Sequence, residues 1–430
     1  MREIFAQVFS NLRANKLRSF LTMFGILWGV ISVVVLAATG EGFRRGNDHV
    51  LEELGKNIAI VWGSRTSMQA GGQRAGRQIL LTVDDAKALA TESEMIAVVS
   101  TEIQRGLTVK SAYNSASLGA SGIQPQYQDI RTIDIERGRN FRFTDEEQAL
   151  RVAIIGADAT RQLFGSRDGI GQTVAVNGVP FTVIGTIRKK DQDSNYTGPD
   201  NDRLFLPFST MQRDFPRLDT EAGIVSDIIV TPQPAVLAQL PGILTRRTGR
   251  IEDIDWPLER EVRRIIARRH GFDPEDKRAI AVWDTSLNSL MMGRMVDTMG
   301  DFFRLVGMIT LALGGLGVMN IMLVAVRERT REIGVRKALG ATTRQIQRQF
   351  FLEGFVLTMI SGAIGFAVAL GICALVNLLP MPSRFQGMIV TWQTGASAVA
   401  ILTLIGVVTS TYPARRAAQL PPVEALRFEM

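Results

Sequence analysis

Between Val326 and Phe351 the chain reads VRERTREIGVRKALGATTRQIQRQFF. Arg327, Arg329, Arg331, Arg336, Lys337, Arg344 and Arg348 are basic there, and only Glu328 and Glu332 oppose them. Guanidinium and ammonium groups at this density can grip acidic partners through charge-assisted hydrogen bonds. Long apolar segments flank the stretch, so it is a loop or short helix tethered at both ends. A short, strongly basic loop between apolar spans reads as cytoplasmic, because Lys and Arg are retained on that side. On charge alone, a topology anchor and a working site look the same.

Catalytic chemistry is missing from the rest of the chain. No GxxxxGK[ST] is present, so these residues carry no P-loop and are not expected to hydrolyse ATP. GxSxG, HExxH and the EF-hand loop are absent too. Gly315-Leu316-Gly317 lacks the third glycine of a dinucleotide fingerprint and sits in an apolar run. Cys373 is the one cysteine, which excludes a disulfide within the chain and a cysteine metal site. His49 and His270 are far apart and have no metal-ligand spacing. No catalytic, cofactor-binding or metal-ligating residue is therefore expected. Arg263, Arg264, Arg268 and Arg269 in PLEREVRRIIARRH could contact nucleic acid, but they read more simply as the solvated face of a helix, and no nucleic-acid partner is expected.

The elements that position the basic stretch are four apolar spans. Of the 430 residues, 46% are hydrophobic and 21% charged, with a net charge of +7. That mixture fits some membrane spans plus a large water-exposed domain, with membrane lipid as the partner of the basic excess. Residues 1–19 place Ile4, Phe5, Val8, Phe9 and Leu12 at helical spacing, as in an amphipathic helix on the cytoplasmic membrane surface. Residues 20–39 carry no charge and suffice to span a bilayer. A cleaved signal peptide would have a shorter apolar region. Spans are expected at 302–326, 350–379 and 394–412, with a cytoplasmic loop at 327–349, an outer loop at 380–393 and a cytoplasmic tail at 413–430. Arg304 and Glu353 near span ends can snorkel or pair. The basic flanks predict both termini inside. Too few ionisable residues lie at mid-depth for an ion-coupled carrier, and four spans alone make a poor pore, which points to a dimer.

Residues 40–301 contain no run long enough to span and are expected to form an extracytoplasmic α+β domain with stalk helices at both ends. Strands are expected at Asn57–Gly63, Gln78–Val83, Arg151–Ile155, Leu204–Pro207, Asp227–Pro232 and Ala279–Trp283, with several between Ile96 and Ile123. Thr82 is placed to cap a helix over DDAKALATES, whose first turn is acidic. In TVAVNGVPFTVIG two alternating strands flank Asn177-Gly178, a hairpin signal. Helices are expected near QPQYQDI, over ADATRQLF and over 257–270, and Asp191–Asp202 reads as a surface loop. Gly314, Gly315, Gly317, Gly362 and Gly365 in the spans read as helix-packing positions, where small residues let helices approach closely in lipid. Asn320 is expected to be buried and free to bond across to another helix or subunit.

The run GGLGVMNIMLVAVRERTREIGVRKALGATTRQIQRQFFLEG at 314–354 resembles the permeases of ATP-binding-cassette transporters of the macrolide-exporter type, MacB/FtsX-like. YPARRAAQLPPVEAL at 412–426 resembles the family's closing motif. LTVDDAKAL at 81–89, RVAIIGADATRQLFG and GQTVAVNGVPFTVIGTI resemble its periplasmic domain. The best-known macrolide exporter carries its ATPase in the same chain. None is present here, so the resemblance implies a separate ATPase subunit, which would hold ATP and Mg, with no cofactor in this chain. It also implies that Glu332, Ile333, Gly334, Val335, Arg336, Lys337, Ala338, Leu339 and Gly340 form a coupling helix docked on that ATPase, with Ile333, Val335 and Leu339 as its apolar side. The implied assembly holds a second permease copy, identical or closely related. It sits in a bacterial inner membrane, with a periplasmic adaptor and outer-membrane channel in a double-membraned cell. The implied function is efflux of drugs, peptides or other amphiphiles by force transmitted to the outer domain. Release of lipoproteins, or switching of a cell-wall hydrolase outside, are the alternatives.

Overall fold

The computed structural model describes residues 16–55, 57–190, 196, 198–216, 223–240, 256–421 and 425, with side chains from Met23 onward. The expected amphipathic helix at 1–19 lies almost wholly outside them, as does half of the expected surface loop at 191–202, where Asp200 and Asn201 depart from expectation in being buried. The chain divides into two compact units, residues 1–46 with 293–430, and 47–292.

The first unit is built on four helices long and apolar enough to cross a membrane. They are α1 (Lys16–Leu54), α9 (Thr285–Glu328), α11 (Thr343–Val376) and α12 (Trp392–Gln419), with the short α10 (Thr330–Ala338) between α9 and α11. At 1.5 Å per residue the first two run for about 58 and about 66 Å, roughly twice the hydrocarbon thickness. Each expected stalk is thus continuous with its span. α11 begins well before the expected span at 350, because Thr342 and Gln345 form a capping box at its start.

Small residues set the helix approaches in this unit. A Cβ on Gly314 would stand 2.7 Å from the Gly25 carbonyl carbon and the Ile26 nitrogen, so α1 and α9 cross backbone on backbone. Gly365 faces the Leu27 carbonyl oxygen at 2.8 Å, Gly362 meets the Leu402 side chain, and Gly315 meets Thr409 and Ile405. Gly317 is only half-buried. Asn320 departs from expectation: it is exposed on α9, because it lies on a side of the helix that no other helix covers among the described residues.

The second unit is an α+β domain inserted between the first and second spans, as expected. Its strands are β1 (Ala59–Gly63), β2 (Ile96–Lys110), β3 (Ser115–Ile123), β4 (Ile135–Gly138), β5 (Val152–Ile155), β6 (Thr173–Val176), β7 (Val179–Ile187), β8 (Arg203–Pro207), β9 (Asp227–Pro232) and β10 (Ile280–Asp284). They form one mixed sheet in the order β10-β1-β9-β2-β3-β8-β5-β7-β4, with β6 bridging β2 and β7. Two apolar cores cover its faces, one around Leu89, Phe164, Phe181 and Ile265, the other around Ile58, Tyr127, Phe141 and Phe205. The helices are α2 (Val83–Glu92), α3 (Pro125–Ile130), α4 (Phe143–Glu147), α5 (Ala157–Phe164), α6 (Phe208–Asp214), α7 (Pro234–Leu237) and α8 (Pro257–His270).

Local rules account for several of these. Asn177 and Gly178 both take positive φ, 43° and 87°, the combination that a two-residue hairpin turn needs between β6 and β7. Thr82 and Asp85 form the capping box of α2. Asp85 also receives Arg269 Nε at 2.7 Å and pairs with His270 Nε2 at 2.8 Å, which ties α2 to the end of α8. Burial pushes the Asp85 carboxyl up, but the bonds from His270, Arg269 and Thr82 outweigh it and bring it down to about 2. The expected strand at Gln78–Val83 does not form. Gln78 and Thr82 make only isolated bridges, to Arg65 and Ile224, because the segment bonds to two different neighbours and never to one in succession.

Candidate functional site

The basic stretch folds as a tight helix-turn-helix corner. α10 starts directly after α9, where Thr330 Oγ1 donates to the carbonyls of Val326 at 3.1 Å and Arg327 at 2.8 Å. It stops at Gly340, whose φ of 98° favours glycine. The amide of Gly340 donates to Lys337 O at 3.1 Å and that of Ala341 to Arg336 O at 3.0 Å. This pair of bonds is a Schellman closure. Thr342 then caps α11, so only four residues separate the two helices.

The inner face of α10 is bound to the spans. Ile333 is 1% exposed within their apolar core, and a Cβ on Gly334 would lie 2.7 Å from the Ala425 methyl. Arg329 pairs with Glu353 of α11 at 3.4 Å. Arg336 donates to Gln349 Oε1 of α11 at 3.1 Å and to Glu332 Oε1 at 2.6 Å. Lys337 Nζ donates to the carbonyls of Ala418 at 2.5 Å and Leu420 at 2.8 Å, at the end of α12. An ammonium there also meets the negative end of the helix dipole. The corner is therefore fastened to α11 and to α12 by separate contacts.

The outer face is different. Glu328, Arg331, Glu332, Val335, Ala338, Leu339 and Gly340 are exposed, with Val335 at 42% and Leu339 at 84%. Residues 328, 331 and 332, 335, and 338 and 339 recur at helical spacing and form one stripe of mixed charge with two aliphatic side chains. The nine sequence-expected residues thus split. Glu332, Val335, Ala338, Leu339 and Gly340 face outward, while Ile333 and Gly334 face inward and Arg336 and Lys337 are half-buried. The expectation that Ile333 shares an apolar side with Val335 is corrected. Residues two apart on a helix point to nearly opposite faces. That spacing could have separated them in the sequence. The Lys337 contact could not be anticipated, since its acceptors lie some 80 residues away. Among the described residues no group of three His, Cys, Asp or Glu side chains could hold a metal ion.

Comparison with known proteins follows this division of the chain. The family described as MacB-like periplasmic core domain matches residues 19–240, and the FtsX-like permease C-terminal family matches residues 304–422. An uncharacterized ABC transporter permease, YknZ of Bacillus subtilis, is 31% identical over 98% of this chain and 97% of its own length. The macrolide export ATP-binding/permease protein MacB of Bdellovibrio bacteriovorus is 32% identical over all of this chain but only 62% of its own. The pyoverdine export ATP-binding/permease protein PvdT of Pseudomonas putida is 33% identical over 96% and 58%. The chain therefore spans about three-fifths of these longer relatives. Among solved structures, the extracellular domain of YknZ from Gram-positive bacteria has a TM-score of 0.40 at 18% identity, covering 53% of this chain and 100% of that domain.

Proposed function

The chain belongs to the ABC-transporter permeases with a MacB-like periplasmic core domain and an FtsX-like C-terminal region, and on that premise we propose that it converts ATP hydrolysis in a separate ATPase subunit into movement of the domain at 47–292. The ATPase binds the outer stripe of α10, with Leu339 and Val335 seated in its groove and Arg331 and Glu332 paired at the rim. The domain works outside a bacterial cytoplasmic membrane, both termini lie inside, and the work done is export of drugs, peptides or other amphiphiles. One observation carries this reading: α10 offers an exposed aliphatic and charged stripe on one side while its other side is fastened to two spans. A push on such a corner moves the spans with it. The relatives named as combined ATP-binding/permease proteins extend beyond the matched region.

A second permease copy also has support. Met295, Met299, Phe302, Val306, Ile309, Leu313 and Leu316 of α9 are all exposed, and Asn320 continues the same row. Their spacing alternates four and three, the a/d seam of a coiled coil, and one Asn in such a seam specifies register. Affinity purification of the full chain in mild detergent tests the proposal. An ABC ATPase is expected to co-purify with the native chain and to be lost from Leu339→Glu. Recovery of the chain with no ATPase would refute the reading.

A further inference from the structure

The last four carbonyls of an α-helix have no partner within it, and at the end of α1 they are those of Leu51, Glu52, Glu53 and Leu54. Leu51 O accepts from the Gly55 amide at 3.1 Å. The other three are taken by side chains from far along the chain. Thr132 Oγ1 donates to Glu52 O at 3.1 Å, Lys190 Nζ to Glu53 O at 3.1 Å, and Arg131 Nη1 to Leu54 O. The last turn of α1 holds no basic residue of its own. It carries Glu52 and Glu53 instead, the wrong sign for the negative end of a helix dipole. The positive charge comes from the domain.

Arg131, Lys190 and Asp200 are all buried. Asp200 receives Lys190 Nζ at 3.0 Å and Arg131 Nη2 at 3.3 Å. Lys190 and Arg131 thus each meet both Asp200 and a carbonyl at the end of α1, so one pair of cations holds the two together. From this socket a polar chain continues into the sheet. Arg131 Nε donates to the Tyr127 hydroxyl at 3.4 Å, and its guanidinium lies 4.9 Å from the centre of the Tyr196 ring. Both tyrosine hydroxyls donate to Glu102 on β2, Tyr127 at 2.8 Å. Ser121 of β3 donates to the other Glu102 oxygen at 2.5 Å and is itself held by Arg203 of β8 at 2.6 Å. Buried charge is costly to maintain, and apolar packing would serve stability as well or better. The arrangement is explained by what it positions.

We propose that Arg131, Lys190 and Asp200 form a socket that seats the end of α1, and that through it a displacement of α1 reaches β2, β3 and β8. These are positioning residues, and the inference rests on the force-transmitting reading above. The test is hydrogen exchange on the full chain in nanodiscs with its co-purified ATPase, with and without ATP and vanadate. Lys190→Met leaves the Arg131–Asp200 pair intact. It is expected to speed exchange at residues 51–55 at least tenfold, to keep ATP turnover, and to abolish the nucleotide-dependent change in exchange at residues 98–109. Lys190→Arg is expected to restore that change. A wild-type response in Lys190→Met would overturn the socket. If Lys190→Met loses protection throughout the domain, the partly exposed Thr132→Val decides: a weakened response upholds the socket and a full response overturns it. Absence of any response in the wild-type chain would instead count against force transmission itself.

Discussion

Ile333 within α10 and Leu339 at its C-terminal cap lie on different sides of the corner, and truncating each should produce opposite phenotypes. Complete burial of a leucine side chain is worth about 1.5–3 kcal/mol. Leu339 is 84% exposed, so docking can bury about 1.3–2.5 kcal/mol of that. At about 1.4 kcal/mol per decade, Leu339→Ala is expected to weaken binding of the ATPase by up to about 8- to 60-fold. Val335, at 42%, has about half as much to lose, up to about 3- to 8-fold. Leu339→Ala should leave thermal stability unchanged, since that side chain is almost wholly exposed. Ile333 is 1% exposed, and Ile333→Ala is expected to cost about 2–5 kcal/mol of stability by opening a cavity. Kd is read by titrating purified ATPase against the permease in nanodiscs, with Tm measured on the same samples. Unchanged affinity in Leu339→Ala, or a greater loss in Ile333→Ala without a fall in Tm, would refute the assignment of the docking face.

Glu332→Lys with Arg336→Glu preserves an intrahelical pair now closed at 2.6 Å while inverting the charges shown to a partner. It is expected to abolish stimulation of the ATPase and leave membrane insertion intact, as read by ATP turnover and by membrane fractionation. Gly314→Val would drive a Cβ to 2.7 Å from the α1 backbone, which cannot yield as a side chain would. Overpacking of this kind costs about 1–3 kcal/mol, so Tm in detergent should fall. In the domain, the Asp85 carboxyl lies at about 2 against an ordinary 3.8. That depression contributes about 2 kcal/mol above pH 4, and the contribution is lost as pH falls through about 2. Unfolding followed at pH 5 and pH 2.5 should therefore show a smaller pH effect in Asp85→Asn. In a Cys373→Ala background, a cysteine at the exposed Ser166 is expected to react with an impermeant reagent in intact spheroplasts. No reaction there would invert the topology.

Features set by neighbouring residues were legible in the sequence. The four spans announce themselves as apolar runs, Asn177-Gly178 as a hairpin turn, and Thr82 with Asp85 as a helix start. Features set by distant residues were not. Gln78–Val83 has strand-like composition, yet its two sides bond to different segments, so no ladder forms. Glu102 lies within a strand and gives no local hint that two tyrosines and a serine will surround it in the interior. At the corner between the second and third spans the family resemblance marked nine residues but not their directions. Ile333 turned inward because the apolar core of the spans claimed it, and Lys337 turned inward because the end of α12 offered it two carbonyls.

The most direct trial of the account is the rate of ATP hydrolysis by the co-purified ATPase, alone and with the permease reconstituted in nanodiscs. The account predicts a rate that rises when the native permease is present and does not rise with the Glu332→Lys, Arg336→Glu chain. An ATPase indifferent to the native permease would contradict it.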